Sequence, residues 1–268
     1  MSSLQLGNGI AVELIRTVGP AMATILRVGS SALLLLPALF LLRSQNPTPA
    51  RQILTYGAVL GLMQLAFYQA ISQIPLALAV SIEFAIPLAI SCIRSSSLSL
   101  KLLTAGSAVG LLLMANNTST LSLTGILWAS LTGLLLCFYI RIGTEMRGRT
   151  HPLAALSKAL LVAFPVVVVG QHVTLLSGPP PIAPVAAQVV VVAVLTIIIP
   201  FSLELLAMKS LRPVAFALVS AMDPVLASIV GVVGLNQHLN LYQVSGLIML
   251  TACAFLAIRS GSNTRSNN

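Results

Sequence analysis

Three acidic residues fall inside long apolar stretches of the sequence, where chemistry is the first explanation to test. Glu83, Glu204 and Asp223 each lie in a run long enough to cross a bilayer, and the whole chain has only five acids. An ionisable group at the bilayer centre costs at least about 2.5 kcal/mol, so it usually serves a transport pathway or pairs with another charge. The competing interpretation is a structural lock, in which Glu83 or Glu204 pairs with Arg27, the one basic residue inside a predicted span.

Polar residues also recur along one face of the stretch that precedes Glu83. Gln64, Tyr68 and Ser72 are spaced four residues apart, so a helix would place them in one stripe on an otherwise apolar surface. The stripe could line an aqueous cavity. Alternatively it could hydrogen-bond to neighbouring spans, at about 0.6 kcal/mol per contact.

Two prolines stand beside the buried acids. Pro87 follows Glu83 by four residues, and Pro224 directly follows Asp223. Proline inside a helix removes a backbone donor and bends the chain. Within a membrane, such breaks are tolerated where they line protein or a water-filled cavity, so we expect both prolines to be mid-span helix breaks at the pathway.

The composition excludes a soluble protein. Hydrophobic residues make up 57% of the 268 residues and charged residues 7%, whereas soluble domains carry about 25% charged residues. The net charge of +9 is spread thinly, with no basic cluster among aromatic residues, so we expect no nucleic-acid partner. The three cysteines and three histidines lack metal-ligand spacing. No metal, cofactor or catalytic constellation is therefore expected, and the chain is predicted not to be an enzyme.

Apolar runs separated by short polar connectors predict an all-α, polytopic membrane protein. A shorter apolar segment, Leu4 to Ile15, carries Glu13 and looks like the second half of a tenth span, truncated or begun late. The nine full spans are predicted at residues 21–42, 53–73, 76–93, 98–115, 121–140, 159–176, 185–208, 214–235 and 241–258.

The basic residues predict the orientation. Arg16 falls outside and Arg27 lies within a span when the N-terminus is placed in the cytoplasm, and the C-terminus, with a polar tail at 259–268, is then also cytoplasmic. Twelve of the 14 basic residues then lie on the inner side: Arg43, Arg51, Arg94, Lys101, Arg141, Arg147, Arg149, Lys158, Lys209, Arg212, Arg259 and Arg265.

A weak internal repeat divides the chain into halves at 1–115 and 121–258. At a shift of 137 residues Pro87 meets Pro224 and Ala70 meets Ala207. Each half holds an odd number of spans, five if the short first segment is counted, so the second copy must be inverted in the membrane. Inverted repeats place their substrate near the midplane, between the halves.

The same residues support a resemblance to a known family. The run from Phe67 to Leu88, the segment Pro200 to Glu204 and the arginine in Leu26-Arg27-Val28 resemble the EamA-type members of the drug/metabolite transporter superfamily, and most of all the bacterial threonine/homoserine exporters. The sequence departs from the family in its late first span and in having Asp223 where a glutamate is usual.

The resemblance implies two EamA repeats, ten spans and efflux of small polar metabolites across a bacterial inner membrane. It favours a secondary active exporter of small amino acids, threonine- or homoserine-like, working by proton antiport and alternating access. In that hypothesis the proton carrier is Glu83, or else Asp223. Glu204 and Arg27 form a structural or substrate-orienting pair, and the Gln64 stripe lines the route.

The expected partners are a small-molecule substrate, a coupling proton and the lipid bilayer, and the sequence leaves a homodimer open. Two other interpretations are retained. The chain could be a non-transporting or decayed transporter homologue that serves as a membrane scaffold, which the short first segment favours. An intramembrane enzyme is the weaker alternative, because no nucleophile with a base is visible at bilayer depth.

Overall fold

All regular elements in the described part of the chain are helical in the computed structural model, which describes residues 2–42, 48–93, 98–115, 122–146, 151–171, 183–210 and 222–266. A short 3₁₀ turn at Ala183–Val185 precedes α7, and a π-helical turn at Val194–Ile198 separates α7 from α8. The helices are α1 (Ser2–Leu41), α2 (Ala50–Ile71), α3 (Leu76–Ile93), α4 (Leu98–Ala115), α5 (Leu123–Glu145), α6 (Pro152–Gly170), α7 (Ala186–Ala193), α8 (Ile199–Ser210), α9 (Asp223–Leu235) and α10 (Leu241–Ser266).

The long helix α1 consists of two helices that meet at a break. Gly19 has φ 78° and ψ 158°, a backbone conformation open to glycine and strained for other residues. Pro20 follows and cannot donate a backbone hydrogen bond. The helix before the break covers residues 2–18, about 25 Å at 1.5 Å per residue. The first segment is therefore longer than the half span that its apolar core from Leu4 to Ile15 predicts.

Helix lengths agree with a protein that crosses a membrane several times. Five helical stretches of the described chain are at least 18 residues long and apolar enough to span a bilayer, and four further apolar stretches of 10–17 residues lie within α3, α4, α9 and α10. The largest differences from the predicted boundaries are at α5, at α6 and at α10, which continues to Ser266 through most of the polar tail predicted at 259–268. Helix α5 extends to Glu145, which was expected in a connector and instead lies 3.5 Å from Arg141 on the exposed helix end. Helix α6 begins at Pro152, so Lys158 lies inside it.

The π-helical turn between α7 and α8 has a local cause. Pro200 lies two residues after it, and a proline ring crowds the carbonyl group four residues earlier, which here belongs to Thr196. Widening the turn relieves that crowding, and π-turns of this kind often occur at functional sites. The turn sets the direction in which Thr196 faces the second half of α1.

Glycines allow the closest helix contacts, as their four-residue spacing predicts. A Cβ atom on Gly57 would lie 2.5 Å from the carbonyl oxygen of Ala159, and one on Gly61 would lie 2.8 Å from that of Ala163, so α2 and α6 touch backbone to backbone. Helices α4 and α10 meet in the same way, with Gly110 against the backbone of Gly246. Small residues at interfaces are how helices gain dispersion contacts in lipid, where the hydrophobic effect does not drive their association.

Gly57→Ala is expected to lower the free energy of unfolding by about 1–3 kcal/mol, because the new methyl group would overlap a backbone oxygen that cannot move aside. The measurement is the thermal unfolding midpoint of the purified protein in detergent. Gly234→Ala is the matched control, since its Cβ atom would meet nothing closer than 3.8 Å. Equal midpoints for the two variants would contradict the close packing of α2 on α6.

Candidate functional site

A cavity that contains charged side chains lies between the helices, with walls from α1, α2, α3, α5, α8 and α9. Its volume is about 50 Å³, well above the roughly 10–15 Å³ that one water molecule needs. Most of its wall is apolar. The polar side chains in the wall are Gln5, Asn8, Arg27, Gln64, Glu83, Glu204 and Asp223.

Arg27 is fully buried, with 1% of its surface exposed. Its Nη2 donates to Oε1 of Gln64 at 2.6 Å, and its Nη1 donates to Oγ1 of Thr196 at 3.2 Å. The guanidinium carbon lies 3.9 Å from the centre of the Tyr68 ring, in cation–π geometry. These contacts fix the position and the plane of the guanidinium group without neutralising its charge.

The expected ion pair between Arg27 and Glu83 or Glu204 is not formed. Within the described residues, the ion pairs closer than 4 Å are Arg16 with Glu13 and Arg141 with Glu145, both on exposed surfaces. The hypothesis of a structural lock is therefore corrected, because neutral groups hold Arg27 in place. A buried charge without a counter-charge is costly in a low-dielectric interior.

Asp223 is the most deeply buried of the three acids, with none of its surface exposed. It lies in the first turn of α9, where the helix dipole favours negative charge. Neither carboxylate oxygen makes a hydrogen bond of ordinary geometry to a described residue, although the Gln5 side chain lies beside the carboxyl group. Asp223 thus brings two unsatisfied acceptor atoms to the cavity wall.

Glu204 has a different environment. Its Oε2 accepts a hydrogen bond of 3.1 Å from the hydroxyl group of Tyr139. The Tyr139 ring stacks on Tyr56 at 5.0 Å and meets Phe201 edge-on at 5.5 Å. This aromatic cluster joins α2, α5 and α8 beside the cavity, and the sequence pattern did not identify it.

Glu83 lies partly buried in the cavity wall, within electrostatic reach of Asp223 and Glu204. A Cβ atom on Gly133 of α5 would be 2.7 Å from the Glu83 carbonyl oxygen, so α3 is held tightly at this point. The three acids therefore belong to one site, although 140 positions separate Glu83 from Asp223 in the chain. Like charges in one low-dielectric site repel each other, which makes the site suited to taking up a cation or a proton.

The polar stripe of α2 is only partly at the cavity. Gln64 lines it, and Tyr68 is fully buried beneath Arg27. Ser72 follows the last residue of the helix, is exposed, and donates to the backbone oxygen of Gln69 at 2.9 Å. The prediction that Ser72 lines the route is corrected, because α2 ends before the stripe reaches it.

The two prolines also differ from each other. Pro87 lies inside α3, as predicted. Pro224 occupies the first turn of α9 as described, where a missing backbone N–H costs nothing. The preceding residues of the predicted span at 214–235 lie outside the described residues up to position 221.

Two cavity residues do not follow from the sequence pattern. Gln5 and Asn8 are each 1% exposed, and Nδ2 of Asn8 donates to Oε1 of Gln5 at 3.3 Å. Their spacing of three residues on an apolar helix was the available signal. Glu13, the only acid of that segment, is the more conspicuous residue, but it faces outward and pairs with Arg16 at 3.2 Å.

Apolar helices that enclose a charged cavity define a multi-pass helical membrane protein with a central small-molecule site. Among the described residues, no group of three or more histidine, cysteine or acidic side chains could hold a metal ion. The site therefore consists of charged groups, amides, hydroxyl groups and an apolar wall. Binding and proton exchange are the chemistry that these groups can support.

Comparison with known proteins agrees with that class. The model of the EamA-like transporter family matches residues 123–259. The threonine/homoserine exporter RhtA of Salmonella typhimurium (strain SL1344) is 30% identical over 274 residues, covering 98% of this chain and 88% of that protein. The protein of the same name from Escherichia coli (strain K12) is 28% identical over 276 residues, covering 99% and 92%.

A crystal structure that is 15% identical covers 100% of this chain and 99% of its own chain, with a TM-score of 0.62, so the fold is shared. The chain belongs to the EamA-like transporter family. It is a multi-pass protein of the inner membrane, and it transports a small molecule. The resemblance noted in the sequence is confirmed.

Asp223→Asn is expected to stabilise the protein, because it replaces a fully buried charge without an ion pair among the described residues by a neutral amide of the same shape, which is less costly to bury. The helix dipole opposes part of the gain, by about 0.3–1 kcal/mol. The measurement is the thermal unfolding midpoint at pH 8 without substrate. Glu13→Gln on the exposed surface is the control and should change the midpoint little. A lower midpoint for Asp223→Asn would show that the carboxylate has a stabilising partner.

Proposed function

We propose that this protein is a secondary active transporter that exports small amino acids, threonine- or homoserine-like, in exchange for protons by alternating access. The observation that carries the proposal is the cavity in which Arg27 and three acids meet without pairing. The exporters of Salmonella and Escherichia support the substrate class through their names and their near full-length similarity.

The cavity suits a small polar solute. Charges of both signs lie in a mostly apolar wall, and a few polar groups in an apolar wall are typical of small-molecule sites. An amino acid carries an ammonium and a carboxylate, which are the two groups that such a wall can recognise. A phosphorylated metabolite, which carries only negative charge, would face three acids and a single arginine.

The helix packing supports two five-helix repeats, 1–115 and 121–258, and ten crossings. In the proposed repeats the first half of α1 corresponds to α5, the second half of α1 to α6, α2 to α7–α8, α3 to α9, and α4 to α10. Exchanging each element for its counterpart turns observed helix contacts into other observed helix contacts. Helix α2 packs on α5 and α6, and α7–α8 packs on both halves of α1. The second half of α1 packs on α6, α3 on α9 and α4 on α10, so each of these contacts joins an element to its own counterpart in the other repeat.

The family match to 123–259 nearly coincides with the second proposed repeat. In inverted repeats of this kind, the substrate binds between the halves, and rocking of one half against the other exposes it to each side in turn. The cavity draws its wall from both halves, which supports the same location here. The inner-side placement of the basic residues supports a cytoplasmic C-terminus, and a homodimer stays a prediction.

Glu83 is proposed as the proton carrier. It lines the cavity, forms no ion pair with a described residue, and is less deeply buried than Asp223. A carboxyl group in that position can take up a proton from the outer side and release it inward as the repeats move. Glu204, held by Tyr139, is proposed to orient the substrate or the neighbouring helices.

Proteoliposomes test the transport proposal directly. Vesicles loaded with labelled threonine or homoserine should lose label faster when an inward proton gradient is imposed, and a protonophore should abolish that acceleration. A second neutral amino acid and a labelled sugar phosphate measure the substrate class. No gradient-dependent flux for any amino acid would overturn the proposed function and favour the membrane-scaffold interpretation.

Glu83→Gln should abolish the acceleration by a proton gradient while leaving exchange of labelled for unlabelled substrate at equal pH, because glutamine can bind in the wall but cannot exchange a proton. The measurement is flux with and without the gradient in matched vesicles. Glu145→Gln, an acid on the exposed end of α5, is the control. Gradient-driven efflux that survives in Glu83→Gln would remove Glu83 from the proton pathway.

A further inference from the structure

We propose that the cavity binds its substrate as a zwitterion in one orientation, with the carboxylate at Arg27 and Gln64 and the ammonium group at Asp223 and Asn8. The proposal rests on the proposed amino-acid export and deepens it by dividing one cavity into two charged subsites. The division follows from which polar atoms in the wall are already satisfied and which are not.

The carboxylate subsite consists of unused donors. Nε of Arg27 and Nε2 of Gln64 are both buried, and neither has an acceptor among the described residues. An arginine can only donate, so its 2.6 Å contact with Gln64 must be to the amide oxygen. The amide NH₂ group then points away from Arg27 and is available to a ligand. A guanidinium nitrogen beside an amide NH₂ group is a donor pair that suits the two oxygens of a carboxylate.

The Arg27 group is also arranged in advance of binding. Thr196 in the π-helical turn holds Nη1 at 3.2 Å, and the Tyr68 ring supports the face of the guanidinium. A donor held in place before binding loses little conformational entropy when the ligand arrives. The neutral partners leave the positive charge available to an incoming anion.

The ammonium subsite consists of unused acceptors. Both oxygens of Asp223 and Oδ1 of Asn8 are buried, and none accepts a hydrogen bond of ordinary geometry from a described residue, although the Gln5 side chain lies beside Asp223. The start of α9 favours a negative charge on Asp223. An ammonium group has three donors and one positive charge, so it could satisfy these acceptors and the charge together.

A zwitterion solves both electrostatic problems at once. Arg27 and Asp223 line the same cavity, and neither forms an ion pair shorter than 4 Å with a described residue. A free anion or a free cation would satisfy one subsite and leave the other unpaired. The apolar wall, which includes Met63, Phe67, Val80 and Phe84, can hold the substrate side chain.

Crossing ligand analogues with single variants tests this orientation. Three ligands are used: L-threonine, its amino alcohol, in which the carboxylate is replaced by a hydroxymethyl group, and its hydroxy acid, in which the ammonium group is replaced by a hydroxyl group. The full-length protein in lipid nanodiscs is titrated with each ligand by calorimetry, as wild type, Arg27→Gln and Asp223→Asn. Glu13→Gln, which changes an exposed acid of α1, is the control.

Arg27→Gln is expected to weaken threonine binding by about 10- to 100-fold, the usual effect of losing a charged hydrogen-bond partner. It should leave the affinity for the amino alcohol unchanged within about twofold, since that ligand has no carboxylate to lose. Asp223→Asn should give the opposite pattern, with a similar loss for threonine and no loss for the hydroxy acid. Glu13→Gln should change none of the three affinities.

If Arg27→Gln does not fold, Gln64→Ala replaces it with the same pattern at smaller amplitude, and Asn8→Ala likewise replaces Asp223→Asn. A reversed pattern, or equal losses for all three ligands, would overturn the subsites while amino-acid binding to the wild type leaves the proposed function standing. Threonine binding that requires sodium and weakens in Asp223→Asn only when sodium is present would assign Asp223 to a metal cation and also overturn them. Absence of amino-acid binding and flux in the wild type would overturn the proposed function itself.

Discussion

A buried guanidinium group without a counter-charge organises the centre of this protein. Arg27 enters the bundle from the second half of α1, and its partners come from α2 and from the π-helical turn before α8. Its charge is held by an amide, a hydroxyl group and an aromatic ring, so three helical elements must stay in register around it. In a low-dielectric interior these contacts orient a charge without cancelling it. The requirement to position Arg27 therefore constrains where α1, α2 and the π-helical turn can lie.

The surrounding structure keeps that centre narrow and its walls fixed. Glycines bring α2 onto α6 and α5 onto α3 at backbone distance, which leaves little freedom for the helices that carry Gln64 and Glu83. Gly19 and Pro20 break α1 and allow its two halves to approach the cavity separately, one with Gln5 and Asn8 and the other with Arg27. The glycine contacts and the break in α1 therefore also position the polar side chains of the cavity.

Buried polar atoms without a hydrogen bond are concentrated at the site, since its lining residues carry five of the 11 such atoms among the described residues. Asp223, Gln64 and Arg27 all contribute buried atoms that lack a hydrogen bond among the described residues, in a fold whose other buried polar groups mostly bond to their own helix backbone. Such groups lower stability when nothing binds them. A ligand that completes these hydrogen bonds removes this destabilisation, and the free energy gained contributes to its binding affinity. The acids and the arginine therefore make sense together as a binding surface and would be a poor device for stability alone.

The class of protein, most of the helix positions and the residues that could form a site all follow from the amino-acid sequence. Apolar run length, the position of prolines and glycines, and the rarity of charge within spans depend only on local composition, so these features single out Glu83, Glu204, Asp223 and Arg27. How these residues meet depends on the packing of the helices. A helical pattern does not show which face of one span turns toward which face of another, so the sequence could not tell that Arg27 would face Gln64 and Thr196 and no carboxylate. For the same reason it could not show that Ser72 lies beyond the end of α2, or that Gln5 and Asn8 complete the wall, because both outcomes depend on where helices end and pack.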